Sequence, residues 1–197
     1  MSKGTCFCVM ATLLIMASLA SGQSGWDFGV GYSQLSLDVG NGEDHNAWGL
    51  VFRGYGPIAK NTENARIFFA LRTSYYPGGV AFENALWNVW MLTPEIGLAW
   101  HQQLGDPGIF LEPSVAIGAP IAMYNSRVVM LGDLLEGQDT DTTVGWAVRP
   151  GVLLGYKQQN LSLGVDVSYG FEGIHFTDEA RGTHRELYLG VFLRVAR

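Results

Sequence analysis

The chain has 197 residues, of which 48% are hydrophobic, 12% aromatic and 15% charged, with 26 glycines and a formal charge of −6. Charge well below the ~25% usual in soluble domains, at a mean hydropathy of +0.13, excludes a disordered chain, and the acidic balance argues against a nucleic-acid partner. The glycines follow no three-residue period, which excludes collagen, and the length fits one domain.

In chain order, residues 1–22 come first and read as a secretory signal peptide. Lys3 supplies the positive charge, Cys6 to Ala20 is one apolar run of 15 residues, and small residues follow. Such a run is too short to cross a bilayer as a helix. Cys6 and Cys8, the only cysteines, both lie in this segment. The mature domain, 23–197, is therefore expected to hold no disulfide, thiolate nucleophile or Cys-bound zinc. Without Lys3 its balance is 11 basic against 18 acidic residues, or −7.

Beyond residue 22 the dominant signal has period two. It is weak near 26–37 and 47–55, then clear at Ile67, Phe69, Leu71 and Thr73. It is weak again near 93–103 and 109–121. It strengthens at Val144, Trp146, Val148, Val152 and Leu154, at Leu161, Leu163, Val165, Val167 and Tyr169, and at Leu187, Leu189, Val191, Leu193 and Val195. These are eight strands, each near the ~9–11 residues that cross a bilayer when tilted. Short turns are expected around 104–108 and 157–160, and long loops at 77–92, 122–141 and 172–184. Alternating short and long connections fit an up-and-down transmembrane barrel with its short turns on the periplasmic side. Pro94, Pro113 and Pro150 each remove a ladder hydrogen bond and predict local bulges.

One face of each strand is nearly free of charge. The other combines small residues with isolated charges: Arg53, Arg72, Arg149 and Arg194 against Glu95, Glu112, Asp166 and Glu186. A soluble calyx would show the reverse arrangement. Buried charges need partners, so these eight are expected to pair inside the barrel as a lumen network. The fold class expected is all-β, an eight-stranded antiparallel barrel with a charged, side-chain-filled interior.

Signal peptide, amphipathic strands, aromatic-flanked apolar faces and an Arg/Glu interior resemble the small eight-stranded outer-membrane barrels of diderm bacteria, the OmpA-type and porin-family β-barrel group. The resemblance spans roughly 24–197, and Thr93-Pro94-Glu95-Ile96-Gly97 and Arg149-Pro150-Gly151-Val152 look like stretches of that group. It implies export to the outer membrane, outer-membrane lipid and lipopolysaccharide as surroundings, and the barrel-assembly machinery as a partner in biogenesis. Such barrels commonly end on an aromatic residue; here Val195-Ala196-Arg197 follow Phe192, the last aromatic.

No GxxxxGK[ST], HExxH or GxSxG motif is present, and no cofactor or metal is expected. The segment Gly173-Ile174-His175-Phe176-Thr177-Asp178 looks like the His-x-Ser-Asn segment of outer-membrane lipid A deacylases. Carried over, His175 would be the base, Thr177 the nucleophile and Glu186 the orienting carboxylate. Threonine replaces serine, aspartate replaces asparagine, and strand parity turns Glu186 inward and His175 outward. His45 lies beside Glu43 and Asp44 in a solvated turn, and acidic residues crowd the expected outer loops. The apolar segment 127–135 reads as a short amphipathic helix on the membrane rim or a contact patch, and 82–92 as a similar element or an extension of the fourth strand. The favoured function is a non-enzymatic barrel, structural or interacting at the cell surface. The alternatives are a deacylase-like acyl hydrolase and a narrow channel or small-molecule carrier.

Overall fold

The computed structural model describes residues 23–37, 44–57, 64–82, 85–105, 108–130, 133–135, 140–175 and 181–196. The expected signal segment, 1–22, lies outside them. The strands are β1 (Gln23–Leu37), β2 (Asp44–Pro57), β3 (Ala65–Phe82), β4 (Ala85–Trp100), β5 (Gln102–Gln103), β6 (Ile109–Gly118), β7 (Ile121–Met130), β8 (Asp133–Leu135), β9 (Thr140–Gln158), β10 (Leu161–His175) and β11 (Arg181–Ala196).

Eight of these pieces or pairs of pieces make the wall. β5 prolongs β4 beyond His101, β8 pairs only with the outer part of β7, and β6 and β7 together form one wall strand between β4 and β9. Every chain neighbour is a spatial neighbour, and antiparallel pairing of β1 with β11 closes the ring. Register fixes the geometry of closure. Gly25 faces Tyr55, which leads through Ala70, Glu95, Gly118, Ala147, Glu172 and His184 back to Leu35. One circuit thus returns to β1 ten residues along, from 25 to 35. A shear of this size over eight strands tilts them by about 40° and leaves a lumen that side chains can fill.

Outward and inward rows alternate as the period of two requires. Trp48 is 67% exposed and Val191 62%, while Arg72 is 1% exposed and Glu186 0%. The outer surface is the apolar one, which is the arrangement of a barrel solvated by lipid. Exposed or half-buried aromatics mark both ends of this band. Trp26, Trp100 and Tyr156 lie toward the end that holds Gln23 and Ala196, the terminal end of the described barrel; Tyr32, Trp48, Tyr75, Trp90 and Trp146 lie toward the far end. On β4, Trp90 and Trp100 are ten residues apart, which at a tilt near 40° is about 25 Å along the axis, the height of a hydrophobic band.

The three prolines do not produce bulges. Glu95 pairs with Gly118 and Leu92 with Ile121, so the register is the same on both sides of Pro94 and of the β6–β7 break. The β6–β9 register runs unshifted past Pro113, and the β9–β10 register is unchanged on either side of Pro150. Each proline drops a ladder bond without adding a residue. At the break, the Ala119 amide donates to the Pro94 carbonyl at 3.1 Å and the Gly145 amide to the Pro120 carbonyl at 2.9 Å. The register shift lies elsewhere, between Tyr76 and Val80, across Pro77-Gly78-Gly79.

The expected long loops are largely strand. β3 and β4 run on to Phe82 and from Ala85, and β10 and β11 to His175 and from Arg181. The segment 127–135 holds the end of β7 and β8, a hairpin rather than a helix. Beyond the apolar band both faces of a ribbon meet the same medium, so the ladder continues while the alternation that reveals it fades.

Candidate functional site

The lumen is filled by three tiers of ion pairs. In the middle tier Arg53 of β2 binds Asp27 of β1, from Nε to Oδ2 at 2.6 Å, and its Nη2 also contacts Asp27 and Asp166 of β10. In the far tier Arg149 of β9 reaches three carboxylates: Glu95 from Nε at 3.0 Å, Glu172 from Nη2 at 2.5 Å and Glu186 from Nη1 at 3.2 Å. Arg72 and the Tyr76 hydroxyl also donate to Glu186, and Glu172 contacts His184 Nδ1 at 3.0 Å. In the tier nearest the termini Glu112 contacts Arg66 at 2.8 Å, Arg194 at 2.7 Å and His101 Nδ1 at 3.3 Å. Arg194 Nε donates to the Tyr55 hydroxyl at 3.1 Å. Past the end of β4, partial burial and then the Arg66 charge push the His101 imidazole below its ordinary pKa, with Glu112 opposing them.

Small residues make room for these groups. A Cβ on Gly170 would lie 2.5 Å from Arg149 Nη1, so the guanidinium lies directly over that glycine. A Cβ on Gly155 would meet the Phe110 and Phe192 rings, both at 2.6 Å. Those two rings pack edge to face at 6.2 Å and, with Leu153, form an apolar plug toward the terminal end. The Arg72 guanidinium stacks on Tyr188 at 4.7 Å. In a medium that cannot solvate charge, such arrays hold together because each carboxylate meets at least one cation.

Arg53, Arg72, Arg149, Arg194, Glu95, Glu112, Asp166 and Glu186 all sit in these tiers. Sequence reasoning missed Asp27, Arg66, Glu172, His101 and His184. Glu172 and His184 fell in a segment read as loop, although each continues the inward parity of its strand. Asp27 lies near the start of a strand whose alternation is weak, and Arg66 lies just before Ile67, where the alternation read for β3 begins.

Of the deacylase-like triad, the described strands set the backbone positions of His175 and Glu186 apart along the sheet. Glu186 faces the lumen beneath Arg72, Arg149 and Tyr76. His175 ends β10 opposite Arg181, whereas Glu186 is opposite Gly170. Five residues along a strand are roughly 17 Å, beyond the reach of a hydrogen bond between the two side chains. Thr177 and the His175 side chain lie outside the described residues, as do the side chain of His45 and most of the acidic loop residues. Among the described residues no group of His, Cys, Asp and Glu is arranged to hold a metal.

Fold and lumen together define an eight-stranded transmembrane β-barrel with a charged, filled interior. Among solved structures the chain is similar to Neisserial surface protein A, NspA, with a TM-score of 0.61 and 16% identity over 90% of this chain and 98% of that one. It also matches Ail, the attachment invasion locus protein of Yersinia pestis, solved with the heparin analogue sucrose octasulfate (TM-score 0.47, 13% identity, 88% and 99% covered). The outer membrane enzyme PagL matches at a TM-score of 0.41 and 15% identity, over 87% and 99% of the two chains. No protein-family model and no curated protein sequence matches the chain. The likeness to NspA is one of fold: a single closed barrel spanning nearly all of both chains.

Proposed function

We propose that the protein is a non-enzymatic outer-membrane β-barrel, structural or interacting at the cell surface, whose interior is largely closed by its Arg/Glu network. The proposal includes export by the 1–22 segment, insertion by the barrel-assembly machinery, and outer-membrane lipid and lipopolysaccharide as its surroundings. The observation that carries it is Arg149. One guanidinium, itself 1% exposed, engages carboxylates of β4, β10 and β11 that are no more than 1% exposed. A guanidinium tied to three strands narrows the lumen at its tier, and the Phe110–Phe192 cluster narrows it again toward the terminal end. The distance between His175 and Glu186 along the strands weighs against the acyl-hydrolase reading. In the test, the full chain is expressed in a diderm host, membranes are fractionated, and gel mobility is compared with and without boiling. The purified barrel then goes into planar bilayers, and host lipid A is weighed by mass spectrometry. We expect outer-membrane, heat-modifiable protein with no stable conductance and unchanged lipid A. Steady channel openings would favour the channel or carrier; loss of an acyl chain from lipid A would favour the hydrolase.

A further inference from the structure

At the two aromatic girdles and between them the described outward positions are apolar, aromatic or uncharged, with one exception. Arg185 of β11 faces outward and is exposed. Its register partners are Phe171 on β10 and Gln34 on β1. The adjoining outward row, one step toward the termini, is Tyr169, Leu187, Tyr32 and Trp48 across four successive strands. Tyr32 and Trp48 pack at 4.9 Å between ring centroids, and Tyr169 and Phe171 at 4.6 Å. Among the described residues no carboxylate pairs with Arg185.

A cation on the lipid face costs ~2–4 kcal/mol at the bilayer midplane and only ~0–1 near the interface. The aromatic row places Arg185 at the interface, where the lipid groups able to meet it are headgroups. A planar guanidinium matches phosphate with two parallel hydrogen bonds, and the flanking rings give the glycolipid's apolar parts a surface to rest on. We propose that Arg185, flanked by Phe171, Tyr169, Tyr32 and Trp48, binds the phosphate of a lipid in the leaflet at the far end of the barrel, one lipid per barrel. This rests on the outer-membrane reading above, under which that leaflet is the lipopolysaccharide one.

The test uses the full-length barrel in neutral detergent micelles, titrated with lipid A and followed by native mass spectrometry. Dephosphorylated lipid A and inorganic phosphate are run in parallel. Arg185→Gln and Arg185→Lys are compared with wild type, and each sample is first checked for heat-modifiable mobility. The wild type is expected to retain phosphorylated lipid A roughly five- to tenfold better than the dephosphorylated form. Arg185→Gln should abolish that preference, Arg185→Lys should keep part of it, and inorganic phosphate should compete poorly. A folded Arg185→Gln barrel with undiminished preference, or inorganic phosphate displacing the lipid as well as lipid A does, would overturn the site. A chain that never reaches a membrane or shows no heat-modifiable barrel would instead overturn the outer-membrane reading.

Discussion

Arg149 meets three carboxylates through three different nitrogens, so its removal affects Glu95, Glu172 and Glu186 together. Glu186 keeps Arg72 and Tyr76 as partners, and Glu172 keeps His184. Glu95 is left with no other described ion pair. Stranding one buried charge costs ~3–5 kcal/mol. Arg149→Ala is therefore expected to lower barrel stability by about that amount, read as a fall in the urea midpoint in lipid vesicles. Lys157→Ala, at the exposed end of β9, should shift it by less than about 0.5 kcal/mol. Equal midpoints for the two variants would show that the tier does not hold the wall together. Gly170 belongs to the same unit, since only a residue without a side chain leaves the guanidinium its place.

The β9–β10 hairpin shows how a single element sets register. Gln158 pairs with Leu161, leaving Gln159 and Asn160 as a two-residue loop. Gln159 has a φ of 53°, in the left-handed region. The first central position of such a loop favours glycine, because a Cβ crowds the backbone there. Gln159→Gly is expected to stabilise the barrel by up to about 1 kcal/mol, seen as a higher unfolding midpoint with unchanged gel mobility. A lower midpoint would mean that the glutamine side chain contributes something the turn geometry does not reveal. The prolines act at the same scale. With no residue inserted, Pro94, Pro113 and Pro150 leave every inward residue inward; an extra residue in any of these strands would have turned its charges toward lipid.

For the whole molecule, the antiparallel order of the closed ring puts Gln23, Ala196 and the strand ends that flank the turns after β2, β5 and β9 at one end. Those that flank the connections after β1, β3, β8 and β10 lie at the other. With the terminal end toward the periplasm, protease added to intact cells should spare Lys157 and cut within 136–139 or 176–180, detected by mass spectrometry of the fragments. Cleavage at Lys157 in unbroken cells would reverse the orientation.

The strand count, the inside-out polarity and the core of the charge network were legible in the sequence, for one physical reason. Where lipid lies on one side of a strand and a charged lumen on the other, every second residue carries the boundary. Leu161, Leu163 and Val165 against Ser162, Gly164 and Asp166 state it outright. Which charge meets which was not legible, because pairing depends on register and shear. Arg149 reaches Glu95 on β4 as well as Glu172 and Glu186 on β10 and β11 only because the ring closes at that stagger. Glu172 and His184 continue the inward parity, but they lie where the apolar band ends and the outward row stops announcing itself, so the segment between them reads as loop. The tertiary structure decided those positions by continuing the ladder past the membrane. It also set Arg185, unremarkable in the chain, level with an aromatic row drawn from four different strands.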